Sequence, residues 1–318
     1  MMRLRKAVDL YLNDIDNPRT RWSVYGVLIP LARTLNQDMD VSEISPTALH
    51  EYIQSMKNST LKYVAHSRRP NEIGQLSPVT INNRVKTIKR FFKWLVEIEE
   101  LEASPAKSLK TKRFGSRIDP DRLPTHEEID QLLRFFFGKR RDYALLRFLV
   151  DTGCRVGAAA KVRVQDIDTV SQEAMVMDEK GDRWYIAYFS DGTARAIDEW
   201  IEDRPAWEHD YVFATKRGHL QPGSITQKWR RACDRLGIRR MKSHDFRHKK
   251  GMDMAEMNIH HVKMAKVFGH RDGGKTACES YSHLRDRSVR RAAMRTHRHR
   301  PGDLPDGNGR ILYFPGVG

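Results

Sequence analysis

Through most of the chain, apolar residues recur at three- and four-residue steps, and only a short central stretch alternates with period two. Near the N-terminus, "LRKAVDLYLNDI" sets Leu4, Val8, Leu10, Leu12 and Ile15 at spacings that predict a helix. The clearest helix is "SPVTINNRVKTIKRFFKWLVEIEEL". Ser77 can cap it, and Pro78 falls at the first helical position, where its missing N–H costs nothing. Ile81, Val85, Ile88, Phe92, Leu95 and Ile98 then trace one face, and Arg84, Lys86, Lys89, Arg90 and Lys93 lie off it. That basic strip reads as a solvated surface or, equally, as a DNA-binding face that lies on phosphates.

The rhythm breaks at "ASPAKSLKTKRFGSRIDPDRLP", where Pro105, Gly115, Pro120 and Pro124 interrupt a basic run. Such a composition suits a linker between domains. The expected organisation is a helical domain over 1–108, a basic linker over 109–123, a second domain over 124–296 and a tail over 297–318. "PTHEEIDQLLRFF" restarts a helix, with Thr125 and Glu128 at capping-box spacing. "RDYALLRFLVDTGC" predicts an apolar helix. "AMVM" and "RWYIAYF" predict short strands around a "DEKGD" hairpin with Lys180 at its turn, and "YVFA" a third strand. "SITQKWRRACDRLG" predicts a helix capped by Ser224 and stopped by Gly237. Helical patterns continue to about Arg295, and a Gly/Pro-rich tail follows.

Charge sharpens this picture. The 318 residues carry a formal net charge of +16, an excess that points to a polyanionic partner. Hydrophobic residues at 39% are enough for packed cores. Cys154, Cys233 and Cys278 stand far apart, forming neither a disulfide framework nor a CxxC metal pair. The charged N-terminus is no signal peptide, and no apolar run approaches membrane-spanning length. The expected location is therefore the cytoplasm, with no membrane partner.

The densest candidate chemistry is "HDFRH". His244 and His248, four apart, share a helix face and could be zinc ligands, groups aimed at a phosphate, or a basic surface. The zinc-hydrolase pattern HExxH needs a glutamate base, whereas Asp245 stands here with no obvious third ligand downstream.

Four separated segments, in order and at fitting spacings, resemble the boxes of the tyrosine recombinases, or phage-integrase family. They are "DTGCRVGAAAKVRVQDID", "EKGD", "HDFRH" and "GHRDGGKTACESYSHL". The resemblance covers 125 to about 290, and the residues before the linker match only as a generic helical core-binding domain. It implies a mainly α fold with a small β-sheet: an N-terminal helical SAM-like core-binding domain plus an α+β tyrosine-recombinase catalytic domain. With a helix starting almost at Met1, the expectation is the Xer or Cre kind of two-domain clamp, without an arm-binding domain.

The resemblance further implies a catalytic set of Arg155, Lys180, His244, Arg247, His270 and Tyr281. The residue types suit the chemistry. Two guanidiniums can clamp the non-bridging oxygens of a phosphodiester with paired hydrogen bonds. Tyr281 would attack the phosphorus, His244 would help it lose its proton, His270 would donate to a phosphate oxygen, and Lys180 would protonate the departing 5′ oxygen. The phosphotyrosine link conserves bond energy, so no ATP, metal or other cofactor is expected. The implied partners are double-stranded DNA with paired recombination sites and three further copies of the chain in a homotetramer. The tail, with its apolar patch at 311–314, is expected to dock on a neighbouring protomer.

Three positions depart from the pattern. Family members usually carry an acidic residue three places after the first arginine, where Ala158 stands here. Lys249 and Lys250 replace the small hydroxyl residues often found after the H-x-x-R box and are expected to add phosphate contacts. A type IB topoisomerase shares the arginines and tyrosine and stays open as an alternative. So does a non-catalytic DNA-binding descendant, for which Ala158 is the main support.

Overall fold

The computed structural model describes residues 2–62, 72–112, 114, 118–178 and 183–281. The chain forms two compact units, Met1–Phe114 and Gly115–Gly318.

In the first unit, helices α1 (Leu4–Asn13), α2 (Pro18–Leu35), α3 (Pro46–Asn58) and α4 (Pro78–Glu97) pack on one another, beside a two-residue strand pair, β1 (Leu61–Lys62) with β2 (Glu72–Ile73). Helix α4 starts as its sequence dictates: Ser77 accepts from the Thr80 N–H at 3.1 Å, with Pro78 as first residue. Its apolar face buries Val85, Ile88, Phe91, Phe92 and Leu95 against Leu4, Val8, Leu28, Leu31 and Leu49. The segment after α4 stays with this unit further than the Pro/Gly pattern suggests. Leu109 is buried, and the backbone of Lys112 makes a two-way bond with the buried side chain of Asn82, at 2.8 and 2.9 Å.

The second unit begins with α5 (His126–Phe136), capped by the expected reciprocal Thr125–Glu128 bonds at 3.2 and 2.9 Å. Next come α6 (Arg140–Thr152), α7 (Val156–Ala160), β3 (Ile167–Asp168), β4 (Glu173–Asp178), β5 (Arg183–Tyr188) and α8 (Asp191–Asp203). A tight pair, β6 (Ala214–Thr215) with β7 (Gly218–His219), leads to α9 (Pro222–Leu236), α10 (Ser243–Glu256), α11 (His261–Val267) and α12 (Lys275–Tyr281). The sheet is antiparallel in the order β3-β4-β5. Its inner face packs Ala174, Val176, Tyr185 and Ala187 against Phe148, Phe213, Trp229 and Phe246.

Two local expectations shift. Helix α9 begins at Pro222 with Gln221 as its N-cap, because a proline at the first position outcompetes Ser224 for the start. The third strand of the three-stranded sheet is β3. "YVFA" is only partly strand and lies outside that sheet: Tyr211 bridges Arg163, Val212 and Phe213 are fully enclosed, and Ala214 begins β6. Among the described residues, no helix is long and apolar enough to cross a membrane.

Candidate active site

The site begins where α6 stops. Gly153 takes a left-handed backbone, φ 60°, and a Cβ there would come within 2.8 Å of the Phe268 ring, so only glycine both ends the helix and lets α11 this close. The turn aims the Gly153 carbonyl at Arg247 and presents Arg155 as the N-cap of α7. Arg155 remains one-third exposed, and its Nη1 donates to the carboxylate of Asp178 at the end of β4.

Helix α10 supplies the floor. His244, Arg247, His248 and Gly251 recur at helical spacing on one face, while Phe246 turns into the core. Arg247 is buried. It donates to the carbonyls of Gly153 and Phe268, both at 2.9 Å, and lies over the Phe268 ring at 4.6 Å. Its Nη2 also lies 2.8 Å from His270 Nε2. A guanidinium cannot accept, so Nε2 of a neutral His270 does, which puts the ring proton on Nδ1. That Nδ1 is buried without a hydrogen-bond partner among the described residues. Three of Arg247's five N–H groups are thus in use, leaving two for a ligand oxygen.

Tyr281, in the last turn of α12, is only 4% exposed. Its hydroxyl lies 3.2 Å from His248 Nδ1, and the His248 ring is edge-on to His244 at 4.3 Å between centroids. A Cβ on Gly251 would overlap the Tyr281 ring and hydroxyl, so this glycine makes the seat for the phenol. Replacing it, Gly251→Ala, is expected to destabilise the protein by about 1–3 kcal/mol through overpacking and to displace Tyr281. Thermal melting and the Tyr281 fluorescence environment check this outcome, and an unchanged melt would mean the seat has slack.

Burial governs the protonation states. It pushes the Tyr281 phenol up to about 12, with the Arg247 charge pulling the other way. Burial, aided by Arg247, lowers His270 to about 4 and holds His248 below the ordinary imidazole value. His244 is lowered too, first by burial and then by the charges of His248 and the arginines, although it keeps more of its edge open to water than His270 does. All three rings are neutral at pH 7. Each can therefore accept a proton or offer one N–H.

The structure thus brings Arg155, His244, Arg247, His270 and Tyr281 into one site. Lys180 lies outside the described residues, as does the expected tail. Lys249 is not on a phosphate-facing surface: it is buried, with its ammonium 2.5 Å from Asp253 and 2.9 Å from His126 Nε2, because the i,i+4 partner and the start of α5 enclose it. On α4, Lys86, Arg90 and Lys93 are exposed, the last paired with Glu97 at 2.9 Å. Lys89 instead donates to the carbonyls of Lys107 and Leu109, and Arg84 leans on Met56 Sδ at 3.6 Å. Among the described residues, His244 and His248 have no third His, Cys, Asp or Glu grouped with them as a metal site would require.

Two site residues escaped the sequence reading. His248, which the pattern leaves open as a zinc ligand, a group aimed at a phosphate or a basic surface, is the side chain bonded to Tyr281; its signal is its place four residues after His244, on the same face. Asp178 had been read as part of the turn, yet it ends β4 in register with Arg183; its signal was the alternation Ala174, Val176, Asp178, which points it inward.

Residues 123–288 match the model of the phage integrase family. The chain is 21% identical over 253 residues to a tyrosine recombinase of Pseudothermotoga lettingae, covering 79% of this chain and 82% of that protein. It is 22% identical over 264 residues to tyrosine recombinase XerC of Actinobacillus pleuropneumoniae, covering 80% and 83%. Among solved structures it is similar in fold to the Tn1549 transposon integrase in complex with circular intermediate DNA, with a TM-score of 0.68 at 14% identity over 92% of this chain and 99% of that one. It is also similar to the XerH site-specific recombinase bound to its difH substrate, with a TM-score of 0.64 at 14% identity, covering 91% and 94%.

Proposed function

The chain belongs to the phage integrase family of tyrosine recombinases, and from that premise we propose that it is a site-specific recombinase acting in the cytoplasm on double-stranded DNA. It cuts one strand at each of two paired sites, holds the 3′ phosphate on Tyr281, and exchanges strands through a Holliday junction within a homotetramer. The observation that carries this reading is the convergence of Arg155, Arg247, His270 and Tyr281, drawn from four separate segments, with the hydroxyl of Tyr281 already paired to an imidazole.

The chemistry follows from the geometry. The Tyr281 oxygen attacks phosphorus and its proton passes to His248 Nδ1, with the His244 ring edge-on beside it. The two remaining donors of Arg247, with those of Arg155 not turned to Asp178, gather the non-bridging oxygens, whose charge grows in the transition state. The 5′ oxygen departs and takes a proton, a role that the family resemblance gives to Lys180. Rejoining reverses these steps with a 5′ hydroxyl from the partner duplex. The positive charge is supplied by the guanidiniums, so neither metal nor ATP enters the scheme. The relatives also support the reading: they are tyrosine recombinases and integrases, some solved on DNA, and one solved neighbour is a lambda integrase tetramer on a Holliday junction.

The test is to trap the full chain on nicked genomic fragments, sequence the attached DNA, and place two copies of the recovered site on one plasmid. The expected results are a covalent adduct and an excised or inverted product. Relaxation of a plasmid without paired sites would favour a type IB topoisomerase, and DNA binding without any adduct a non-catalytic descendant.

A further inference from the structure

The family's pattern calls for a carboxylate three residues after the first arginine, and that position is Ala158, buried in the core of α7. The pleat of β4 supplies a carboxylate from the other side. Ala174, Val176 and Asp178 share the inner face, and Asp178 is 5% exposed. An unpaired carboxylate is expensive there, and the bond from Arg155 is what makes it tolerable. Helix α7, which Arg155 caps and which carries Ala158, packs against β4, which carries Asp178.

We propose that Asp178 is the positioning residue for Arg155, doing from β4 what the family's acidic residue does from the helix after the arginine. The inference rests on the reading of Arg155 as a phosphate clamp. A guanidinium is a planar fork; a carboxylate on one edge fixes the plane and leaves the other edge for phosphate oxygens. Without that anchor, a side chain one-third open to water samples many rotamers. Asp178 also places a negative charge where Arg155 and Arg247 repel each other. It stands two residues before Lys180, so it ties the arginine to the strand that leads to the hairpin lysine. Ala158 then argues for relocation of the carboxylate, not for loss of activity.

The test is single-turnover cleavage by the full chain of two duplexes carrying the site recovered by trapping. One has an ordinary scissile phosphodiester and the other a methylphosphonate, which lacks the charge on one non-bridging oxygen and so asks less of Arg155. Asp178→Asn is expected to slow phosphodiester cleavage about a hundredfold, the loss typical of a misplaced catalytic group, while methylphosphonate cleavage and single-site binding stay close to wild type. Asp178→Glu, and the exchange A158E with D178A, should recover most of the rate. Equal loss on both substrates would make Asp178 a structural residue only and overturn the proposal, as would a full-rate Asn variant. If the Asn variant does not fold, the exchange variant decides: a folded exchange protein that stays slow on the phosphodiester also overturns it. Arg155→Ala separates the two levels. A wild-type rate in that variant would reject the clamp reading itself, whereas an inactive Arg155→Ala beside a fast Asp178→Asn would reject only the role of the carboxylate.

Discussion

Tyr281→Phe is expected to bind DNA with wild-type affinity and to form no covalent adduct. The ring is buried between Phe268, His248 and Gly251, and phenylalanine fills the same volume. The fold loses only the hydroxyl's bond to His248, worth about 0.5–1.5 kcal/mol, while the reaction loses its nucleophile. Denaturing gels after incubation with a nicked duplex read the result directly. A full-yield adduct in the Phe variant would move the assignment to another hydroxyl, of which Tyr188 is open to solvent and Tyr185 is buried with its proton held tightly. In the wild-type protein the same pair sets an acid limit. His248 must be neutral to accept the phenol proton, and burial with Arg247 holds its value below the usual one. Cleavage should therefore persist through neutral pH and fall only below the ordinary imidazole range, near ~6.5, as His248 becomes protonated.

The parts of this molecule that were legible in the sequence are those whose cause is local. Ser77 before Pro78, and Thr125 three residues before Glu128, satisfy helix N–H groups within one turn, so the starts of α4 and α5 can be read without knowing what they pack on. Gly237 in its left-handed conformation ends α9 for the same local reason. The recombinase boxes were readable because charge-bearing residue types at set spacings have few other uses. What escaped depends on tertiary neighbours. A lysine after "HDFRH" looks like surface until α5 brings His126 over it. "YVFA" has strand composition, but the edge beside β4 is taken by residues 167–168, and the run is left with one bridge at Tyr211 and a place in the β6–β7 pair at Ala214. Asp178 looks like turn until the six-residue register of β4 with β5 carries the ladder through it to Arg183. The choice between His244 and His248 as the partner of Tyr281 rests on where α12 docks, and no pattern within α10 contains that information.

The second large effect is expected at Arg247. Arg247→Lys keeps one positive charge, yet it should cut cleavage by about 10²–10³-fold, the usual cost of removing a donor aimed at developing charge. The reason lies in geometry. The guanidinium holds the carbonyls of Gly153 and Phe268 and the His270 ring at once, lies over the Phe268 ring, and still keeps two donors for phosphate. An ammonium is a compact point charge with three donors and cannot reach three separated acceptors and a ligand together. Any carbonyl left without its partner is buried, at about 1–3 kcal/mol each, so the variant should also melt lower. The two effects are separable. At a temperature where melting shows the Lys variant folded, the lost rate can no longer be assigned to unfolded protein. His270 stays buried beside a positive charge in the Lys variant, so its NMR titration should remain below the ordinary imidazole value, and the lost rate falls to the missing fork. A folded Arg247→Lys protein that cleaves within tenfold of wild type would show that a single charge suffices at this position and that the fork is not what the transition state needs.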